Sequence, residues 1–107
     1  MTNEYLENLL NTIKSKKNSD PNLSYTALLH KKGLNEILKK IGEEASETII
    51  AAKSDDNNEI IHEIADLWFH CLVLLSQKNL SVNDVIVELK RREGTSGIEE
   101  KSNRKEK

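Results

Sequence analysis

Cysteine, long apolar runs and an excess of positive charge are all scarce in this sequence. Cys71 is the one cysteine in 107 residues, so an intrachain disulfide is excluded and we expect Cys71 to pack as a small apolar residue. The longest apolar run, Cys71 to Leu75, is too short to span a bilayer, and no signal-like segment opens the chain. A net charge of −2 supplies no basic field for nucleic acid. We therefore expect a soluble, cytoplasmic protein that binds neither membrane nor nucleic acid.

Strand patterns are absent too, whereas helical periodicity is present along most of the chain. No apolar-polar alternation, internal repeat or glycine-rich phosphate loop occurs, and Pro21 is the one proline, in a loop. These features predict an all-α fold. At this length we expect one domain, over 1–94, followed by a flexible polar tail over 95–107.

Apolar spacing and capping residues predict five helices. The first is expected to begin after Thr2 or Asn3 as a possible cap and to stop within the polar stretch KSKKNSDPN. The others are expected at about 25–32, 35–53, 58–77 and 82–93. Ser24 and Ser81 are the predicted caps of the second and fifth helices, and Gly33 is expected to end the second in the left-handed conformation. The third and fourth helices, joined by the turn SDDNN, should form an antiparallel hairpin.

Each long helix of this hairpin carries two acids three residues apart, Glu44/Glu47 and Glu63/Asp66. The predicted apolar stripes are Leu34, Ile41, Ala45 and Ala52 on one helix and Ile60, Ile64, Leu67 and Cys71 on the other. Because a helical residue advances about 100°, both acid pairs lie about 60° and 120° to the same side of their stripe. Both are also equally far from Asp55, the middle of the turn. Four carboxylates should therefore converge at one level.

Converging carboxylates repel each other unless a cation neutralises them. Hard oxygen ligands without Cys or His spacing favour Mg²⁺ or Mn²⁺, so we expect Glu44, Glu47, Glu63 and Asp66 to be metal ligands. The alternative is a solvated acidic face, because single Glu-x-x-Glu pairs are common in a chain that is 32% charged. Two pairs matched in offset and height favour the metal.

Several charged residues flank the acids and could act on a ligand. Glu43 points away from the apolar stripe and could hold or deprotonate a water. Lys39 and Lys40 lie one turn before the acids and could meet phosphate oxygens, although surface lysines are usually solvated. Arg91 and Arg92 precede a hydroxyl-bearing loop that could cover a phosphorylated ligand. A basic helix end favoured by the macrodipole is the alternative for this pair.

His62, Asp66 and His70 follow one another at four-residue spacing on the fourth helix. Either histidine could hydrogen-bond to the acids and orient them as ligands. His70, which lies in an apolar run, is the better candidate. A structural role is the alternative for both. The same helix becomes apolar nearly all round from Leu72 to Leu75, more than so few helices can cover, which predicts a self-associated, dimeric helix bundle.

Three segments resemble the phosphoribosyl-ATP pyrophosphohydrolase family, the second enzyme of histidine biosynthesis. They are SYTALLHKKGLNEILKKIGEEASETIIAAK, EIADLWFHCLVLL and ELKRREGTSGIEEK, within Leu6 to Lys101. The pattern Glu-Glu-x-x-Glu followed by Glu-x-x-Asp is shared by all-α nucleoside triphosphate pyrophosphohydrolases. The motifs around Tyr25 and Gly42, together with the tail 94–97, narrow the resemblance to the histidine-pathway member.

The resemblance implies Mg²⁺-dependent cleavage of phosphoribosyl-ATP between the α- and β-phosphates, giving phosphoribosyl-AMP and pyrophosphate, by a helical homodimer. It implies metal ligation by the four acids, with Glu43 and Glu47 as catalytic candidates. A phosphoribosyl-AMP cyclohydrolase, fused in some relatives, is expected on a separate chain. Departures from the family pattern include His30, where an apolar residue is usual. The alternatives are a house-cleaning pyrophosphohydrolase of the same fold and a non-catalytic helical interaction module.

Overall fold

The computed structural model describes residues 2–94, 97–98 and 101, and it consists of five main helices. They are α1 (Thr2–Ser15), α2 (Tyr25–Lys32), α3 (Leu34–Ser54), α4 (Asn57–Gln77) and α5 (Val82–Glu93). The all-α prediction is therefore confirmed, and every predicted helix is present. None of the described helices is both long enough and apolar enough to cross a membrane. Of the predicted tail, most residues lie outside the described part, so its flexibility stays a prediction.

The helix ends follow from local capping. Ser24 accepts a hydrogen bond from the Ala27 amide, and Ser81 forms a reciprocal capping box with Asp84, as the sequence predicts. The expectation for Gly33 is wrong in one respect. Its φ of 94° is positive, but its ψ of −174° is extended rather than left-handed helical, a region open essentially to glycine alone. Gly33 therefore turns the chain sharply from α2 into α3.

The hydrophobic core draws on every one of the five main helices. Its buried members are Leu10, Ile13, Leu29, Ile37, Leu72, Val73 and Val82. The second half of α4 supplies two of these residues, Leu72 and Val73. The expectation that Leu72 to Leu75 lack cover is therefore wrong for Leu72 and Val73, which are buried within a single chain.

His30, which stands where the family pattern has an apolar residue, is buried with a polar partner. Its Nε2 lies 2.8 Å from the Ser76 hydroxyl, and its Nδ1 lies 2.8 Å from the carbonyl oxygen of Thr26. A carbonyl oxygen can only accept, so Nδ1 carries the proton and, in the neutral ring, Nε2 accepts from Ser76. This pair fixes α2 against α4 inside the core.

The α3 face that packs on α4 is turned from the predicted stripe toward the acids. Ile37 and Ala51 are its buried residues, whereas Ala52, a predicted member, is exposed. Glu44 lies seven residues from each of the buried two. Seven residues make about two turns, so Glu44 lies on the contact face itself.

A rotation in the same sense occurs on α4. Glu63 and His70 are buried, whereas Cys71, a predicted stripe residue, is exposed, so the expectation that it is buried is wrong. The core explains the rotation. Ile37 and Val73 must both enter it, and a straight helix carries the orientation set there along to the acids two or three turns away.

Candidate metal and active site

The acids of α3 and α4 meet midway between the core and the turn. Ligand atoms of Glu44, Glu47 and Glu63 lie within 4.8 Å of one another, so residues from both helices share one site. Asp66 joins through Glu63, in a second group that also holds His62. The structure therefore brings the four predicted ligands together as two adjoining groups rather than one. Their role as ligands stays a prediction.

Two carboxylate oxygens of this cluster are buried without a partner. Oε2 of Glu44 and Oε1 of Glu63 make no hydrogen bond within the part of the chain that the structure describes. Glu63 is only 9% exposed. A buried carboxylate oxygen without a partner destabilises the folded protein, because it has lost its hydrogen bonds to water and forms none within the protein. The neighbours of both carboxyl groups include other carboxylates, so a cation is a partner that would satisfy these oxygens.

The pKa values of the same two carboxyls are raised. Burial is the largest cause for Glu63, whose pKa rises to about 7, and Glu59, Glu47 and Glu44 add to it. Burial is also the main cause at Glu44, where Glu47 raises the pKa further and His70 opposes the rise. Negative charge is thus crowded here without compensation, which fits a divalent-cation site.

Tyr25 and His70 form one wall of the site, a pairing that the sequence did not reveal. The Tyr25 hydroxyl lies 3.0 Å from His70 Nε2, and His70 Nδ1 lies 2.7 Å from the carbonyl oxygen of Asp66. The ring of Tyr25 also stacks on Phe69. These contacts give both ring nitrogens of His70 a partner, and its two interpretations, as a structural residue and as support for the acids, stay predictions. Only the motif SYT hinted at Tyr25.

Glu43 and the two lysines lie at the outer edge of this site. Lys40 Nζ is 3.5 Å from Glu43 Oε1, and Tyr25 and then Glu43 raise the pKa of Lys40. Glu43 is exposed and does not join either metal-binding group in the described residues. Lys39 is exposed. Of the two lysines, Lys40 is the one that forms an ion pair in the described residues, and its partner is Glu43.

Arg91 and Arg92 lie near the end of α5, which packs mainly on α1. Both bind Glu88 one turn earlier, at 2.7 Å and 3.1 Å, and their hydrogen bonds lower the pKa of that carboxyl to about 2. This pairing accounts for the two cations without a ligand. Thr95 and Ser96 of the adjoining loop lie outside the described residues, so a covering loop stays a prediction.

Comparison with known sequences identifies the family. The profile of the family described as phosphoribosyl-ATP pyrophosphohydrolase matches residues 6–93. The chain belongs to the phosphoribosyl-ATP pyrophosphohydrolase family. A relative from Methylococcus capsulatus, named phosphoribosyl-ATP pyrophosphatase, is 53% identical over 95% of this chain and 97% of its own length. Relatives of the same name from Nitrosospira multiformis and Azoarcus sp. are 52% and 51% identical, over 95% of this chain and 84% and 95% of theirs.

Membership of the phosphoribosyl-ATP pyrophosphohydrolase family confirms the resemblance drawn from the sequence motifs. The matched range contains α2, both helices of the acid hairpin and α5, so it covers every residue of the site described above.

The raised pKa of Glu63 predicts how the metal-free protein responds to pH. The folded-state pKa of about 7 lies above the ordinary value of 4.5, so the folded protein holds this proton more tightly than the unfolded chain. The resulting stability is fully present below about pH 4.5 and is lost as the pH rises through 7. In chelator, the melting temperature should therefore fall mainly between about pH 4.5 and 7. The fall should be smaller in Glu63→Gln, and equal slopes in both proteins would contradict the assignment.

Proposed function

We propose that the chain hydrolyses phosphoribosyl-ATP to phosphoribosyl-AMP and pyrophosphate, the second step of histidine biosynthesis. The observation that carries the proposal is the position of the family's acid pattern in the fold: its carboxylates meet between α3 and α4, with two oxygens buried and unpartnered. The relatives named phosphoribosyl-ATP pyrophosphatase align with this chain over nearly their whole length, which supports the proposal that this chain catalyses the reaction in that name.

Glu44, Glu47, Glu63 and Asp66 would hold Mg²⁺, or Mn²⁺, in this enzyme. The donor set fits, because it consists of carboxylate oxygens that are crowded and uncompensated. A bound divalent cation neutralises phosphate charge and makes a coordinated water more acidic. The chain's own contribution is to keep the four carboxylates on two packed helices, where their spacing is fixed before any ligand arrives.

The reaction needs a group that accepts a proton from the attacking water. The water attacks one of the two phosphorus atoms that flank the α–β bridge, and the bond between that atom and the bridging oxygen breaks, which gives phosphoribosyl-AMP and pyrophosphate. Glu47 is exposed at the open side of the cluster and is the better-placed acceptor, whereas Glu43 is engaged with Lys40. When phosphate oxygens approach, Lys40 can exchange Glu43 for them, which would free Glu43 to act as well.

The other residues predicted to contact the substrate are Lys39, Arg91 and Arg92. In the structure they do not belong to the acid cluster. Lys39 is free to swing toward a phosphate from the exposed face of α3. Arg91 and Arg92 would need to leave Glu88 to reach the substrate, an exchange of one anion for another. The product phosphoribosyl-AMP would pass to a cyclohydrolase on a separate chain, in the cytoplasm.

The test of the proposed function is a product assay on the full chain in Mg²⁺. Phosphoribosyl-ATP should yield pyrophosphate and phosphoribosyl-AMP, and chelation should stop the reaction. ATP is the matched control, because it offers the same phosphates without the second ribose. Release of orthophosphate alone would contradict the proposal, and equal turnover of ATP would favour a house-cleaning pyrophosphohydrolase.

We also propose that the chain works as a homodimer. An exposed apolar stripe on α4, formed by Ile61, Ala65 and Trp68, lies beside the acid site, and 58% of Trp68 is accessible. Beyond Trp68 the stripe continues into an apolar groove against α1 and α5, lined by Leu6, Leu75 and Leu89 among others. A continuous apolar surface of this kind is typical of an interface between copies.

A further inference from the structure

Tyr25 is the first residue of α2, and its side chain reaches α4 one turn beyond Asp66. Its ring stacks on Phe69 at a centroid distance of 6.4 Å and meets the edge of the His70 ring at 5.8 Å. The Tyr25 hydroxyl lies 3.0 Å from His70 Nε2. Two ring contacts and a hydrogen bond therefore fix the side chain, although 47% of Tyr25 is exposed. A tyrosine that is both fixed and accessible can act on a neighbouring side chain.

The hydrogen bonds of His70 decide what the Tyr25 hydroxyl can do. His70 Nδ1 lies 2.7 Å from the carbonyl oxygen of Asp66, and a carbonyl oxygen can only accept, so Nδ1 carries the proton. In the neutral ring Nε2 is then an acceptor, and the Tyr25 hydroxyl donates its proton to it. The Tyr25 oxygen keeps its lone pairs but has no second proton. It can therefore accept a hydrogen bond from a cation, whereas it cannot donate one to a phosphate oxygen.

Lys40 is a cation close to this oxygen. It lies on α3 one turn before Glu44 and about 40° from it around the helix. Tyr25 is the largest cause of the raised pKa of Lys40, ahead of Glu43, although Glu43 Oε1 is 3.5 Å from Lys40 Nζ. Burial raises the pKa of Tyr25, and Lys40, which lowers it, is the strongest of the charges that act on it. The Lys40 ammonium group therefore has two oxygen neighbours, one neutral and one charged.

We propose that Tyr25 is a positioning residue for Lys40: its oxygen, left as an acceptor because His70 takes its proton, holds the Lys40 ammonium group ready for a phosphate. An ammonium group has three donors, so Lys40 can keep Tyr25 while it exchanges Glu43 for a phosphate oxygen. A long, flexible side chain that is held beforehand loses less conformational entropy when the ligand binds. The inference rests on the proposed function, because it assigns Lys40 to the phosphates of the substrate.

Tyr25→Phe removes the oxygen and keeps the ring that stacks on Phe69. A residue that holds phosphate equally in the ground state and in the transition state affects KM and not kcat. KM for phosphoribosyl-ATP in Mg²⁺ should therefore rise about tenfold, as for a lost hydrogen bond to a charged group, while kcat changes less than about twofold. Partial unfolding would instead lower kcat and leave KM unchanged. Tyr5→Phe, the same change at the other tyrosine, which is exposed on α1, is the matched control and should alter neither constant.

A double-mutant cycle with Lys40→Met tests whether Tyr25 acts through Lys40. Methionine keeps an unbranched side chain of similar kind and removes the ammonium group. In the Lys40→Met background, Tyr25→Phe should change KM by less than about twofold, because no ammonium group is left to hold. An equal rise in KM in both backgrounds, or a lower kcat with an unchanged KM in Tyr25→Phe, would overturn the inference.

Inorganic pyrophosphate gives the same cycle a measurement that does not depend on turnover. Calorimetric titration in Mg²⁺ should show that Tyr25→Phe weakens pyrophosphate binding about tenfold when Lys40 is present and hardly at all in Lys40→Met. Additive effects in an active enzyme would contradict the role of Tyr25 alone. Coupled effects in a protein that does not hydrolyse phosphoribosyl-ATP would contradict only the proposed function. A wild type that binds pyrophosphate no more tightly than Lys40→Met would also overturn the inference.

Discussion

Glu63→Gln is expected to lower the rate of pyrophosphate release by at least about a hundredfold while the metal-free protein keeps or gains stability. The rate falls because the substitution removes the carboxylate shared by both metal groups, and with it charge stabilisation and water activation. Stability holds because the lost charge is buried and repelled by its neighbours, as its raised pKa indicates. Steady-state rates in Mg²⁺ and thermal melts in chelator measure the two effects.

Ile37→Ala is the control, because it should lower stability and leave metal binding unchanged. Ile37 is fully buried in the core, so the truncation should cost about 2–5 kcal/mol of unfolding free energy without changing the affinity for Mg²⁺. Glu44→Gln, Glu47→Gln and Asp66→Asn should resemble Glu63→Gln. If these variants stay active, or destabilise the metal-free protein as much as Ile37→Ala does, the acids are elements of the fold rather than ligands.

Trp68→Glu is expected to convert a homodimer into a monomer. The substitution places a charge at the centre of the exposed stripe on α4, where burial against a second copy would require complete desolvation. The monomer should stay folded, because Trp68 is outside the buried core. Light scattering and sedimentation across a concentration series measure the change in mass, and circular dichroism checks the fold.

Val87→Glu is the matched control for Trp68→Glu. Val87 is 57% exposed, close to the value for Trp68, but it lies on α5 and does not line the apolar grooves beside Trp68. This variant should remain a dimer. A wild-type monomer at working concentration would contradict the homodimer, and dissociation by both substitutions would place the interface elsewhere.

The sequence was sufficient to predict features that depend on adjacent residues or on the symmetry of the helical hairpin. Capping by Ser24 and Ser81 depends on a few adjacent residues, so the helix ends could be located. The level of the two acid pairs depends only on their equal distance from Asp55, and the acids indeed meet across the hairpin. Periodicity and symmetry thus predicted that the acids of the two helices approach one another, whereas their role as ligands stays a prediction.

Rotation of the hairpin helices could not be predicted in the same way. The stripe through Ala52 and Cys71 was the most apolar choice for the hairpin alone, but the core selects the face through Ile37 and Val73 instead. The bond between Tyr25 and His70 spans 45 residues and depends on the turn at Gly33, so no local pattern indicates it. Contacts that depend on tertiary packing cannot be predicted from the spacing of residues in the sequence.

Separation of the core from the acids along one hairpin has a consequence for how the molecule can change. Glu44 lies about 10 Å along α3 from Ile37, the residue that anchors this helix in the core. Substitutions around the acids would therefore alter the proposed binding of ions and phosphates while the anchoring end keeps the chain folded. The proposed ligand selectivity and the folding stability depend on different stretches of the same two helices. A mutation can therefore change the first property without lowering the second.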